Sequence, residues 1–162
     1  MKVTAIDPGT EQSAIITWDG EKIYGFDLLP NPQILAMLRT SKCDHELVIE
    51  QIKSYGNTMG QTTIDTAVWI GRFYEAWAGR FLGSFAELMP RVEVKKHICL
   101  NGLAKDTNII QALVDRFAYG LPNRGKGTKK DPGFFYGFKK DIWQAFALAV
   151  TYWDKKFGKE AA

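Results

Sequence analysis

The chain has 162 residues, a formal net charge of +3 and an ordinary globular composition, 46% hydrophobic and 24% charged. That length fits one domain, residues 1–162, able to bury a sizeable core, and no apolar run reaches the roughly 18 residues a membrane helix needs. The opening from Met1 to Asp7 lacks the apolar stretch of a secretory leader, so a soluble, cytoplasmic protein is expected. Cys43 and Cys99 fall in no CxxC spacing, which argues against a zinc site or a disulfide framework.

In chain order, Val3 to Asp7 reads as a short buried strand closed by Pro8-Gly9. Ser13 to Trp18 and Lys22 to Leu28 read as strands joined by the hairpin signal Asp19-Gly20. Asn31-Pro32 opens a helix to about Thr40, with proline at an early helical position. Leu47-Val48-Ile49-Glu50 is a central strand ending in an acid. A long helix over about Met59 to Phe85 carries Ile64, Ala67, Val68 and Gly71 on one face and Trp69, Phe73, Trp77 and Phe81 on others. A helix apolar nearly all round is either deeply buried or shared with a partner.

Arg91 to Val94 reads as a fifth strand, and Asp106 or Thr107 as the cap of a helix to about Tyr119, stopped by Gly120 and Pro122. The glycine-containing stretch 121–138 reads as a mobile loop. A last helix from about Lys139 to Phe157 turns Ile142, Phe146, Ala149 and Trp153 toward the core. The layout is α/β, a mixed sheet with helices.

Three acids occupy positions where chemistry gathers. Asp7 and Glu50 each end an apolar strand, and Asp141 lies in the first turn of an amphipathic helix. Acids converging from separate elements repel one another without a cation, and magnesium takes such oxygen ligands. Two ions about 3.5–4 Å apart can activate water and stabilise the leaving oxygen of a phosphodiester. His45 and His97 are isolated, and no Ser-His-Asp or Cys-His arrangement competes. Between Asn123 and Lys140, the bases Arg124, Lys126, Lys129, Lys130, Lys139 and Lys140 face only Asp131, a local charge that attracts polyanions. Each acid alone also reads as a turn or helix-terminus residue, and the basic run also reads as a solvated surface.

Taken in order, these segments resemble the RuvC family of Holliday-junction resolvases. Ala5-Ile6-Asp7-Pro8-Gly9-Thr10 is similar to the family's opening strand, and Leu47-Val48-Ile49-Glu50-Gln51 to its second acidic strand. Val94-Lys95-Lys96, Asn101-Gly102 and Ala104-Lys105-Asp106 resemble its basic segment, and Asp141-Ile142-Trp143-Gln144-Ala145-Phe146-Ala147-Leu148-Ala149 its closing Asp-x-x-Asp-Ala-x-Ala-x-Ala helix. The resemblance implies an RNase H-like fold, a five-stranded mixed sheet flanked by helices. It implies Asp7, Glu50 and Asp141 as catalytic ligands of two Mg2+ ions, for which Mn2+ substitutes. It implies a homodimer, packed through the long apolar helix, that cuts two strands of a four-way junction in DNA recombination and repair.

By the same resemblance Lys96 and Lys105 join Arg124, Lys126, Lys129, Lys130, Lys139 and Lys140 in contacting DNA. Two positions depart from the pattern. Gln144 stands where the family has a second acid; one turn after Asp141, it could coordinate or hydrogen-bond without adding charge. Lys53 replaces a phenylalanine that wedges the junction, with Tyr55 nearby as a stacking group, alternatively a packed loop tyrosine. The departures suggest a divergent branch, and the compact length suits a phage-encoded enzyme acting in its host's cytoplasm. Three rivals stand beside this reading: a related nuclease of RNA or RNA–DNA hybrid, a non-catalytic junction-binding protein, and the actin-like ATPase group, whose second phosphate-binding lobe is missing here.

Overall fold

Alternation along the strands decides which layer each side chain joins. In the computed structural model, which describes residues 1–42, 45–56, 58–80 and 85–158, the strands are β1 (Val3–Asp7), β2 (Gln12–Trp18), β3 (Ile23–Pro30), β4 (Glu46–Gln51) and β5 (Ala86–Pro90). They form one sheet in the order β3-β2-β1-β4-β5. The first three make an antiparallel meander, while β4 and β5 run parallel to β1.

On one face Val3, Ala5, Ala14, Ile16, Trp18, Val48 and Met89 pack under α5 (Ile142–Lys156), with α4 (Asp106–Phe117) and α3 (Arg91–Cys99) beside it. On the other, Ile6, Ile15, Leu47 and Ile49 are covered by α1 (Asn31–Thr40) and α2 (Gln61–Ala78), through Ile34, Leu35, Leu38, Ile70, Phe73 and Trp77. Every residue of α5 from Ile142 to Tyr152 is buried. The expected inward stripe is there, but the reverse face, with Gln144 and Thr151, is buried too.

Three expectations are overturned. Arg91 to Val94 is helix, not strand, and the fifth strand is Ala86–Pro90. Ala-Glu-Leu-Met favours helix in isolation, but pairing beside buried β4 overrides propensity; Pro90 then ends the ladder and α3 starts at the next residue. Second, α4 is capped by neither Asp106 nor Thr107: Lys105 is the capping position, its backbone N–H bonded to Asn108 Oδ1 at 2.9 Å. The Asp106 carboxylate is drawn away by Arg91.

Third, the stretch 121–138 is an anchored excursion, not a mobile loop. It holds a 3-10 turn, Pro122–Gly125, and a bridge from Gly127 to Pro132, and it sinks Phe135 and Phe138 into the core against Trp143 and Phe146. Gly127 has φ +64, and a Cβ there would lie 2.3 Å from the Asp131 carbonyl oxygen, so the tight turn needs glycine. The long helix also ends earlier than expected, at Ala78; Phe81 and Cys43 lie outside the described residues.

One polar tie fastens three helices. Asp154 on α5 accepts from Arg116 Nη1 and Nη2 on α4, at 2.6 and 2.8 Å, and lies 2.7 Å from His97 Nε2 on α3. Burial pushes this carboxyl up, but the bonds from Arg116 and His97 outweigh it and hold it below its usual 3.8. A depressed carboxyl stabilises the fold above the unfolded-state value and loses that contribution as pH falls through the folded-state value. Asp154→Asn is expected to lower stability by about 1.5–2 kcal/mol at neutral pH, the lower part of the range for charged hydrogen bonds because Arg116 is half open to solvent. Urea melts should show that deficit shrinking as pH falls below 3.8; a deficit constant down to pH 2 would assign it to packing.

Candidate active site

Register and parity bring two acids together. The last paired rung of β1 and β4 is Ile6 with Ile49, so Asp7 and Glu50 follow side by side at the carboxyl ends of adjacent parallel strands. Asp7 continues the Val3, Ala5 series and Glu50 the Val48 series, so both face the α5 layer. Asp141 is the N-cap residue of α5, where its side chain makes no capping hydrogen bond. All three line one pocket of about 460 Å3, with Pro8, Gly9, Ile52, Thr62, Thr63, Thr66 and Arg91.

The turn after Asp7 is held by residues distant in sequence. Asn31, fully buried at the start of α1, donates from Nδ2 to the Gly9 carbonyl at 2.9 Å and accepts from Ser13 Oγ at 2.5 Å. Ser13 Oγ in turn accepts the Gly9 N–H at 3.1 Å. A Cβ on Gly9 would meet the Gln12 carbonyl oxygen at 2.3 Å, which fixes glycine there. This network positions Asp7 and was not visible in the sequence, where Asn31 reads only as a helix opener.

Arg91, the first residue of α3, was also missed. Gln51 pairs with Pro90, so the next residue of that chain emerges beside the Glu50 carboxylate. Arg91 Nη1 donates to both Glu50 oxygens, at 3.2 and 3.1 Å, and Nη2 to Asp106 Oδ1 at 2.9 Å. Burial pushes the Asp7 carboxyl well above its ordinary value, and the charges of Glu50, Asp141 and Asp106 push the same way against Arg91. Burial raises Glu50 as well, against the pull of Arg91.

The donor chemistry suits a hard divalent cation: three mutually repelling carboxylates, and otherwise only hydroxyl and backbone oxygens, in one pocket. Among the described residues no three acidic, histidine or cysteine side chains are drawn into a ligand arrangement. Glu50 is turned onto Arg91, so a cation held by these acids would share the Glu50 carboxylate with the guanidinium or displace it. Gln144 lies buried within α5 and is not among the residues lining the pocket.

The bases are spread more widely. Arg124, Lys129, Lys130, Lys139 and Lys140 are exposed and Lys126 is half-buried, 6.0 Å from the Trp143 ring centre. Arg124 Nη2 reaches Gln111 Oε1 at 3.3 Å. Lys139 and Lys140 immediately precede Asp141. Lys96 on α3 and Lys105 before α4 are exposed, as are Lys53 and Tyr55 between β4 and α2. The threonines at 62, 63 and 66 carried a signal of their own, a polar set at the start of an otherwise apolar helix.

No family model matches the chain, and no curated protein matches it by sequence. Among solved structures it is similar to RuvC of Thermus thermophilus, with TM-score 0.63 and 16% identity over 98% of this chain and 97% of that one. A second similar structure is RuvC of the same organism in complex with a Holliday junction substrate, with TM-score 0.61 and 16% identity over 93% of this chain and 92% of that one. The fold is thus the RNase H-like α/β fold that RuvC has.

Crowding of buried negative charge has a thermal consequence. Asp7→Asn removes a charge opposed by three neighbouring carboxylates, so the variant is expected to melt at a higher temperature than the parent in chelator at neutral pH. The gain in melting temperature on adding Mg2+ should shrink in the variant. A lower melting temperature in chelator would show that Asp7 serves the fold instead of straining it.

Proposed function

We propose that this chain is a structure-selective DNA endonuclease that cuts four-way junctions by metal-assisted phosphodiester hydrolysis. The single observation that carries the reading is the convergence of Asp7, Glu50 and Asp141 on one pocket, in a fold shared with a RuvC that was solved with a Holliday junction. Asp7 and Glu50, rigid at strand ends, and Asp141, at the head of the buried α5, would hold Mg2+ or Mn2+. Bound there, divalent ions supply a water nucleophile at neutral pH and charge stabilisation of the leaving oxygen. Arg91 and the bases beside Asp141 would orient the phosphate backbone.

The α2 stripe of Ile64, Ala67, Val68 and Gly71 is exposed along one face, and in this reading a second copy covers it. A C2 pair then presents two sites, one for each cut strand. A second reading, binding of junctions without cleavage, draws on Arg91 holding Glu50 and on Gln144 lying outside the pocket.

One assay separates the readings: a synthetic four-way junction set beside linear duplex, flap and RNA–DNA hybrid, with and without Mg2+ or Mn2+. Paired, metal-dependent cuts confined to branched DNA are expected. Asp7→Asn, Glu50→Gln and Asp141→Asn should each abolish cutting while binding persists or tightens. Junction binding with no product under either metal selects the second reading, and a preference for hybrid moves the substrate to RNA.

The basic segment yields a separate expectation. Each phosphate neutralised on duplex arms steepens the log–log salt dependence of binding by about 0.9. Replacing Arg124, Lys126, Lys129 and Lys130 together by alanine should flatten that slope and weaken binding to all sequences alike. An unchanged slope would mark the segment as a solvated face.

A further inference from the structure

We propose that Arg91 is an exchangeable counter-ion. It holds Glu50 while the site lacks metal, gives this carboxylate up to a divalent ion, and turns its freed guanidinium edge to a DNA phosphate while staying anchored on Asp106. The inference rests on the nuclease reading above and adds a role that neither the strand acids nor the basic segment supplies.

The geometry is asymmetric in the required sense. A charge-assisted N–H to carboxylate bond is ordinarily about 2.7–2.9 Å long. Arg91 Nη2 meets Asp106 at 2.9 Å, within that range, whereas Nη1 straddles the two Glu50 oxygens at 3.2 and 3.1 Å. A single N–H2 shared between two oxygens forgoes the parallel two-nitrogen fork that makes arginine–carboxylate pairs strong. Asp106 is the more exposed partner, 55% against 15% for Glu50. The shorter, one-to-one contact therefore lies at the rim, where a phosphate would arrive, and the longer, shared one points inward, where Glu50 holds the guanidinium by charge more than by bond geometry and a cation could compete for it.

The surroundings leave Arg91 little alternative. It lines the same pocket as Asp7, Glu50 and Asp141 and is the one basic side chain among the residues that line it. Without its charge the crowded acids of the pocket keep only the more distant pull of Lys95 on Glu50. With a divalent ion among them, the guanidinium on Glu50 becomes a like charge beside the ion, and a phosphate brings the anion that it then lacks. Arginine suits the second partner as well as the first, since its planar fork matches phosphate.

The test uses the full chain and Arg91→Gln, with Mn2+ as the probe. Binding is read by paramagnetic resonance of free Mn2+, so no cleavage is needed. If Arg91 competes for Glu50, the variant should bind Mn2+ about tenfold more tightly, which corresponds to about 1.4 kcal/mol. It should melt lower than the parent in chelator, and the difference should close in Mg2+. With Ca2+ present, the salt slope for junction binding should fall by about 0.9, one phosphate contact, and in chelator it should not change.

Unchanged or weaker Mn2+ binding would overturn the proposal, as would an equal loss of melting temperature with and without metal, the mark of a purely structural clamp. Should the variant fail to fold, the unsubstituted protein still decides. Labelled arginine side-chain resonances of Arg91 should shift on adding Mg2+ and again on adding junction, and their indifference to both would refute the exchange. A parent protein that binds Mn2+ and cuts junctions while Arg91→Gln leaves the affinity unmoved sinks this inference alone. A parent that shows the Mn2+ and Arg91 responses but never cuts sinks the nuclease reading alone.

Discussion

Two carboxylates set side by side in a protein interior repel each other, and the architecture around Asp7 and Glu50 is organised by that repulsion. The parallel pairing of β1 with β4 makes them neighbours, and the period of two in each strand aims both at the α5 layer. Neither can move away, because each directly follows a buried run of its strand, Val3 to Ile6 or Leu47 to Ile49. What remains is to surround them with positive charge, and the chain does so from the next strand over, by ending β5 at Pro90 and placing Arg91 against Glu50. Asp141 and Asp106 then add negative charge around a guanidinium that cannot neutralise all of it. A pocket of this kind has an appetite for cations as a property of its backbone, before any particular ligand is considered.

The third dimension of the site comes from the helix layers. α5 is covered on every side, by the sheet beneath and by α3, α4 and the phenylalanine-rich end of the 121–138 stretch around it. Its N-terminus is therefore a fixed point, and Asp141 inherits that rigidity. On the opposite face α1 and α2 close the second core. The buried amide of Asn31 carries the position of α1 through to the turn that follows Asp7. The site thus takes one constraint from each layer of the fold.

The parts legible in the sequence were those whose local pattern and tertiary role agree. Apolar runs ended by an acid gave β1 and β4, Asp19-Gly20 gave the hairpin, and the stripe of Ile64, Ala67, Val68 and Gly71 was recognisable as a face of α2 and is exposed there. Where pattern and context disagree, the reading failed. Ala86 to Met89 has the composition of a helix and Val92-Glu93-Val94 that of a strand, yet each adopts the other state because β4 needs a partner and Pro90 stops the ladder. Glycines and lysines in 121–138 concealed that Phe135 and Phe138 are core residues. Arg91 and Asn31 were invisible for a different reason: their partners lie 41 and 22 residues away, and no local spacing encodes such a bond.

The burial of α5 has a consequence for how the protein comes into being on the ribosome. Residues 142–156 supply the centre of one core layer, so a nascent chain that has emerged only through the basic stretch has a sheet with one face bare. Such an intermediate also lacks Asp141. Completion of this hydrophobic layer and completion of the acidic pocket thus coincide in one segment, 141–156. Translation interrupted before that segment then releases a polypeptide that lacks both the centre of one core layer and one acid of the pocket.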